Sequence, residues 1–176
     1  MKAATLPDGF SLHVFAAEPE VRQPIAFCED HRGRLWVAEG YTYPRRVGHP
    51  PKGPGTEASA EGKPSEAQMK DIFGGKDRIL VFEDTNGDHK ADKITVFAEN
   101  LNLVSGLEFG HGGIWVGAAP YLMFIPVADG DSPKPAGPPQ ILLDGWNYSA
   151  DTHETLNTFN WGPDGWLYGC HGVFCP

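Results

Sequence analysis

Short apolar runs, each closed by a turn of Gly, Asp, Asn or Pro, recur along the chain. Runs of this length, rich in Val, Ile, Phe and Trp and bounded by turn residues, predict β-strands. The first four fall at Ile25–Cys28, Leu35–Ala38, Ile79–Phe82 and Ile94–Phe97, here strands a to d. The next four fall at Gly106–Phe109, Ile114–Gly117, Leu122–Ile125 and Ile141–Leu143.

The a–b hairpin is a repeat. Pro24-Ile-Ala-Phe-Cys-Glu-Asp-His-Arg-Gly-Arg-Leu-Trp-Val-Ala-Glu39 is echoed by Ser105-Gly-Leu-Glu-Phe-Gly-His-Gly-Gly-Ile-Trp-Val-Gly-Ala118 and by Thr155-Leu-Asn-Thr-Phe-Asn-Trp-Gly-Pro-Asp-Gly-Trp-Leu-Tyr-Gly169. Trp36 and Trp115 stand 79 residues apart, Trp115 and Tyr168 only 53. The longer interval contains an insertion, residues 48–76, dense in Pro, Gly, Ser, Lys and Glu. Without those 29 residues the interval is 50, so the two periods agree. A period of this size is that of a four-stranded propeller blade. A β-sandwich would show similar turns without the self-similarity, and solenoid coils are shorter.

The expected fold is therefore all-β, an incomplete β-propeller of about two and a half blades. Blade one covers about 22–98, blade two about 103–144, and a third begins at about 153–176. Phe10-Ser-Leu-His-Val-Phe-Ala16 matches strand d of blade one and predicts an N-terminal closing strand. Complete propellers have at least four blades, so the chain reads as the N-terminal piece of a longer protein of about six. Its open sheet edges would template aggregation.

A net charge of -9, with basic residues unclustered, argues against nucleic acid and anionic membrane surfaces. No apolar run approaches the roughly 20 residues of a membrane span, and the first residues lack the apolar stretch of a signal peptide. On that reading the protein is cytoplasmic if its start is genuine. The three cysteines, Cys28, Cys170 and Cys175, show no metal-ligand or haem spacing.

Between strands c and d of blade one runs Asp84-Thr-Asn-Gly-Asp-His-Lys-Ala-Asp92. Side-chain oxygens of Asp84, Asn86, Asp88 and Asp92, with the Lys90 carbonyl, match the hard-oxygen ligation of calcium. His89 stands where glycine usually makes the sharp turn, and Thr95 where an EF-hand has glutamate. The alternative is an Asp-rich hairpin turn with no ion. In a propeller the a–b and c–d loops share one face and the d–a and b–c loops the other. This loop thus lies opposite His153, the 48–76 insertion and His171, where calcium would be structural.

Asp151-Thr-His-Glu-Thr-Leu-Asn157, followed by Gly162-Pro-Asp-Gly-Trp-Leu-Tyr168, resembles a segment of the soluble aldose dehydrogenases that use pyrroloquinoline quinone (PQQ). Leu156-Asn157 stands where Gly-Arg commonly follows the histidine in that family. Leu6-Pro-Asp-Gly-Phe10, Leu35-Trp-Val-Ala-Glu39, Asp77-Arg-Ile-Leu-Val-Phe-Glu-Asp84 and Trp115-Val-Gly-Ala-Ala-Pro-Tyr121 extend a second likeness over nearly the whole chain. It is similar to the proteins called membrane-bound dehydrogenases in planctomycete-type bacteria, long extracytoplasmic chains often carrying helical repeats and a cytochrome c domain.

The resemblance implies a periplasmic or extracellular oxidoreductase acting on a sugar or alcohol, with His153 as the base that takes the hydroxyl proton. An imidazole supplies a base near neutral pH. Arg45 and Arg46 suit planar carboxylates of a quinone, with Asn157 and His171 as topological neighbours. Each has a plainer reading: His153 as a hydrogen-bonded loop histidine, Tyr41-Thr-Tyr-Pro-Arg-Arg46 as an exposed loop. Because propellers serve both uses, a non-catalytic module binding glycan or a protein partner is the rival.

Overall fold

The computed structural model describes residues 4–48, 62–128, 130–149 and 152–172. Residues 49–61 of the insertion, Asp151, and Cys175 with the other residues of 173–176 lie outside them.

Three antiparallel sheets follow one another along the chain. The first orders β1 (Pro24–Glu29), β2 (Leu35–Glu39), β3 (Asp77–Glu83) and β4 (Lys93–Leu101) as a simple meander. The second orders β5 (Gly106–Gly110), β6 (Gly113–Ala118) and β7 (Tyr121–Ala128), with both β8 (Lys134–Pro135) and β9 (Gln140–Asp144) pairing β7. The third is a hairpin of β10 (Leu156–Trp161) and β11 (Leu167–His171). The strands β1, β5 and β10 are neighbours, so the sheets fan about their first strands. This is the all-β propeller architecture, open among the described residues.

Alternation explains the packing, because successive side chains of a strand point to opposite faces. On β3, Ile79 and Val81 join Trp36, Phe97, Leu107, Ile114 and Met123 between the first two sheets, while Leu80 and Phe82 face the other way with Val37. On β7, Tyr121, Met123 and Ile125 face the first sheet, and Leu122 packs with Leu156 and Phe159 of the third hairpin. The first two sheets are therefore apolar on both faces. Full burial of one such side chain is worth about 1.5–3 kcal/mol. Trp36, wholly buried, meets Phe97 edge-on at 4.8 Å between ring centres.

Two elements depart from the sequence expectation. Residues 10–16 form no strand. Phe15 and Ala16 pack on the Val37–Leu80–Phe82 cluster, and the Phe15 carbonyl accepts from Ala91 N–H at 2.8 Å. Phe10, Leu12 and Val14 stay exposed. The alternation is that of a strand, but no edge among the described residues runs beside it to complete a ladder.

The end of the insertion is helical: α1 (Glu66–Ile72). The signal was Ser65-x-x-Gln68, a capping box. Gln68 N–H donates to Ser65 Oγ at 3.2 Å, and Ser65 N–H to Gln68 Oε1 at 2.9 Å. Seven residues do not hold a helix alone. Tertiary bonds fix it, including Asn102 Nδ2–H to the carbonyls of Asp71 and Val47 at 3.0 and 2.9 Å. No described helix is long and apolar enough to cross a membrane.

Candidate functional site

Where the first strands of the three sheets converge lies a cavity of about 370 Å³. Ile25 and Phe27 of β1, Leu107 of β5 and Phe159 of β10 give it apolar walls. Its polar groups are Tyr43, Ser105, Thr152, His153, Asn157 and Thr158. Phe27 presents 71% of its surface, an unusual exposure for a strand phenylalanine. Two wall residues, Leu103 (φ 58) and Thr158 (φ 55), hold left-handed backbone conformations. For non-glycine residues these cost on the order of 1–3 kcal/mol each and persist only where surroundings enforce them.

His153 sits in the β9–β10 loop, Tyr43 in the β2–β3 connection 110 residues earlier. The Tyr43 hydroxyl hydrogen-bonds His153 Nδ1, lies 3.4 Å from Nε2, and the rings meet edge-on at 5.4 Å. The direction of the bond depends on the imidazole tautomer. If the phenol donates to Nδ1, Nε2 carries the proton; if Nδ1–H donates to the phenol oxygen, Nε2 keeps its lone pair.

Tyr43 is held from below by Asp77. The wholly buried Asp77 carboxylate accepts from Thr42 N–H at 2.5 Å and from Val104 N–H at 2.8 Å. One side chain thus fastens the Tyr43 loop to the β4–β5 loop, and both line the cavity. Desolvation raises the Asp77 carboxyl above the ordinary carboxylate range, against the opposing pull of the Thr42 and Val104 donors. Lys76 N–H donates to Thr42 Oγ1 at 3.1 Å, closing the loop further. Asp77 did not stand out in the sequence, since a buried aspartate at a strand start has no local signature, and Tyr43 entered only as part of the Tyr41–Arg46 segment.

The other expected site residues divide. Asn157 lines the cavity with His153. Arg46 does not: its guanidinium pairs bidentately with Asp71 at 2.5 and 2.6 Å, donates to the Ala119 carbonyl at 3.0 Å, and lies over Tyr148 and Tyr121 at 5.4 and 6.0 Å. Side-chain exposures of 2% and 5% make this a buried structural pair. Arg45 is exposed, its amide bonded to the Thr42 carbonyl, and it lies outside the cavity wall. His171 Nδ1 accepts from Trp146 Nε1–H at 2.8 Å, likewise away from the cavity. No arginine or lysine lines this cavity among the described residues, so the residues present do not form a cradle for the carboxylates of a quinone.

In the β3–β4 loop the expected calcium ligands cap backbone amides. Asp84 Oδ1 accepts from Gly87 and Asn86 N–H at 2.7 and 3.2 Å, and Oδ2 from His89 N–H at 2.9 Å. Asn86 Oδ1 accepts from Asp88 N–H, and Asp88 Oδ1 from Lys90 N–H. Asp92 accepts from Thr85 N–H and Oγ1–H at 3.0 and 2.8 Å. The Asp84 carboxyl is held below the ordinary value: slight desolvation, which alone would raise it, is outweighed by the donors of Gly87, His89 and Asn86. Among the described residues no three His, Cys, Asp or Glu side chains converge where a metal could sit. The expected ligand oxygens are thus tied to the loop's own amides, which hold it in a tight turn.

Fanned sheets with a polar and apolar cavity at their first strands define an all-β protein of the propeller type. The chain belongs to the family described as Domain of unknown function (DUF7133), whose model matches residues 1–175. No curated protein and no solved structure matches it.

Proposed function

We propose that the chain forms part of an extracytoplasmic oxidoreductase that acts on the hydroxyl of a sugar or alcohol, with His153 taking the hydroxyl proton. The observation that carries this reading is the position of His153 on the wall of the cavity where β1, β5 and β10 converge. A base must come within hydrogen-bond reach of the proton it removes, and a cavity wall provides that reach. Asn157 and Thr152 supply further polar contacts for hydroxyls, and Phe27 and Ile25 supply an apolar surface for the carbon face of a substrate.

PQQ, if bound by the complete propeller, would supply the hydride acceptor, and a cytochrome c domain the next carrier. The cations that its carboxylates need are not on the described cavity wall. Dye-linked oxidation of an aldose and alcohol panel with added PQQ tests the proposal. Turnover by the complete propeller that is abolished by His153→Ala, with the near-ultraviolet dichroism unchanged, supports it; a folded complete propeller without turnover counts against it, whereas these two and a half blades alone are expected to be inactive.

One observation favours a second reading, a glycan-binding module. An aromatic ring as exposed as Phe27, flanked by hydroxyl and amide groups and no cation, suits an uncharged sugar without chemistry. Saturable glycan binding without oxidation, lost in Phe27→Ala, supports that alternative.

A further inference from the structure

We propose that Asn157 is a specificity-determining residue of the cavity, its Nδ2–H groups donating to an oxygen of an uncharged substrate, and that Thr158 is the residue that positions it. The proposal rests on the cavity being the site of the sugar or alcohol, which the dehydrogenase and glycan-binding readings share.

The hairpins β5–β6 and β10–β11 come from the same repeat but differ by one residue. Against β6, β5 keeps an unbroken register from Gly106↔Gly117 to Gly110↔Gly113. On β10, Asn157 pairs with Cys170 and Asn160 with Tyr168, three steps against two, so this strand holds one extra residue. That is a β-bulge, a device that re-aims side chains. Strict alternation would put Leu156 and Phe159 on opposite faces. With the extra residue both are buried and pack with Leu122, and Asn157 and Thr158 between them are left to the cavity wall. Thr158 takes the strain of the bulge, a left-handed φ of 55°. For a β-branched residue that is a genuine outlier, whereas glycine would adopt it freely. A threonine here points to something that only its side chain supplies.

What it supplies is a hydrogen bond: Thr158 Oγ1–H donates to Asn157 Oδ1 at 2.8 Å. The carbonyl end of the carboxamide is engaged, and the plane of the group is held. Among the described residues nothing takes the hydrogens of Asn157 Nδ2. That group is a donor only, so its complement is an acceptor, the oxygen of a hydroxyl, ether or carbonyl. No arginine or lysine lines the cavity among the described residues, so an anionic acceptor would find no counter-charge there. A substrate with an ammonium at that position would be rejected, since two donors would face each other unpaired.

Titration calorimetry of the complete propeller with D-glucose, D-galactose, D-xylose and glycerol is the test, with unchanged melting curves as the check on folding. Asn157→Leu keeps the branched shape and removes the donor; Thr158→Val keeps the β-branch and removes the hydroxyl. Each is expected to weaken about tenfold the binding of any of these probes that the wild type takes. Thr158→Ser, which keeps the hydroxyl, should bind as the wild type does. Because Thr158 acts through Asn157, adding Thr158→Val to Asn157→Leu should cost nothing further. Where valine does not fold, Thr158→Gly decides, since it frees the backbone of strain and should still bind about tenfold more weakly. Wild-type affinity in Asn157→Leu or in the hydroxyl-free variants, failure of serine to preserve it, or additive losses in the double variant overturns the proposal and leaves the cavity as the sugar site. A folded wild type that binds none of the four probes removes the site itself, and the proposal with it.

Discussion

Arg46 and Asp71 form a bidentate ion pair that joins the β2–β3 connection to helix α1, with Tyr121 and Tyr148 around the guanidinium. Removing one member of a buried pair leaves the other charge uncompensated, at about 3–5 kcal/mol. Arg46→Ala is therefore expected to lower the unfolding free energy by that order in denaturant titration. Asp71→Ala should do the same, and the double variant should be less destabilised than the sum of the two. A stability effect below about 1 kcal/mol for Arg46→Ala would return the residue to the list of potential ligand-binding cations.

Gly117 on β6 faces the third hairpin so closely that a Cβ there would lie 2.5 Å from the Leu156 carbonyl oxygen and 3.0 Å from Phe159 Cζ. In most strands Gly→Ala is neutral or favourable, since glycine weakens strands. Here the backbone must move, so Gly117→Ala should destabilise by about 1–3 kcal/mol. The effect should be local. Amide exchange is expected to rise across β10 and β11 and to stay unchanged in β1–β4, whereas uniform protection would show that the hairpin does not dock on β6.

Asp30 is buried and accepts from Arg34 Nε–H at 2.6 Å, Trp36 Nε1–H at 2.8 Å and Arg32 N–H at 2.9 Å. Burial, which alone would raise its carboxyl, is outweighed by the Trp36, Arg32 and Arg34 donors, and the group is held below the ordinary carboxylate value. A depressed native value means that the unfolded chain binds the proton more readily. The stabilisation is then complete above the ordinary value of about 3.9 and is lost as pH falls through the native one. Asp30→Asn should lower the melting temperature at pH 7, and the gap from wild type should narrow below about pH 4. A gap independent of pH would remove Asp30 from the acid response.

In the β3–β4 loop Asp84, Asn86 and Asp88 tie oxygens to backbone amides, so the turn is held by its own hydrogen bonds. The melting temperature is expected to be the same in excess calcium and in excess chelator. A ligand that binds only the native state adds about 2.7 kcal/mol at a hundred times its Kd, so a binding site would be plain in such a comparison. A clear calcium-dependent rise would establish the loop as a calcium site.

The strands were legible because burial on both faces leaves short Val-, Ile-, Phe- and Trp-rich runs between turn residues, and the period of 50 ordered them into sheets. Helix α1 was hidden by a composition that reads as loop, although Ser65 and Gln68 marked its start. Residues 10–16 misled for the opposite reason: alternation fixes which side chains share a face, whereas a strand also needs a partner edge. Loop topology brought His153 and Asn157 to one wall. It did not reveal Tyr43 as the partner of His153, because that bond depends on the conformation of two loops far apart in sequence. Nor did residue type reveal that Arg46 is neutralised by Asp71, since a guanidinium suits an internal carboxylate as well as a ligand's.

The central claim is that His153 acts as a base on a substrate hydroxyl, and steady-state turnover of wild type against His153→Ala, with PQQ and a dye acceptor, tests it most directly. General-base catalysis contributes about 10²–10⁴-fold, so a loss of that size in kcat/KM with the fold retained is the predicted result. Equal turnover in the two forms of the complete propeller, or none in a folded complete propeller supplied with the quinone, would contradict the claim.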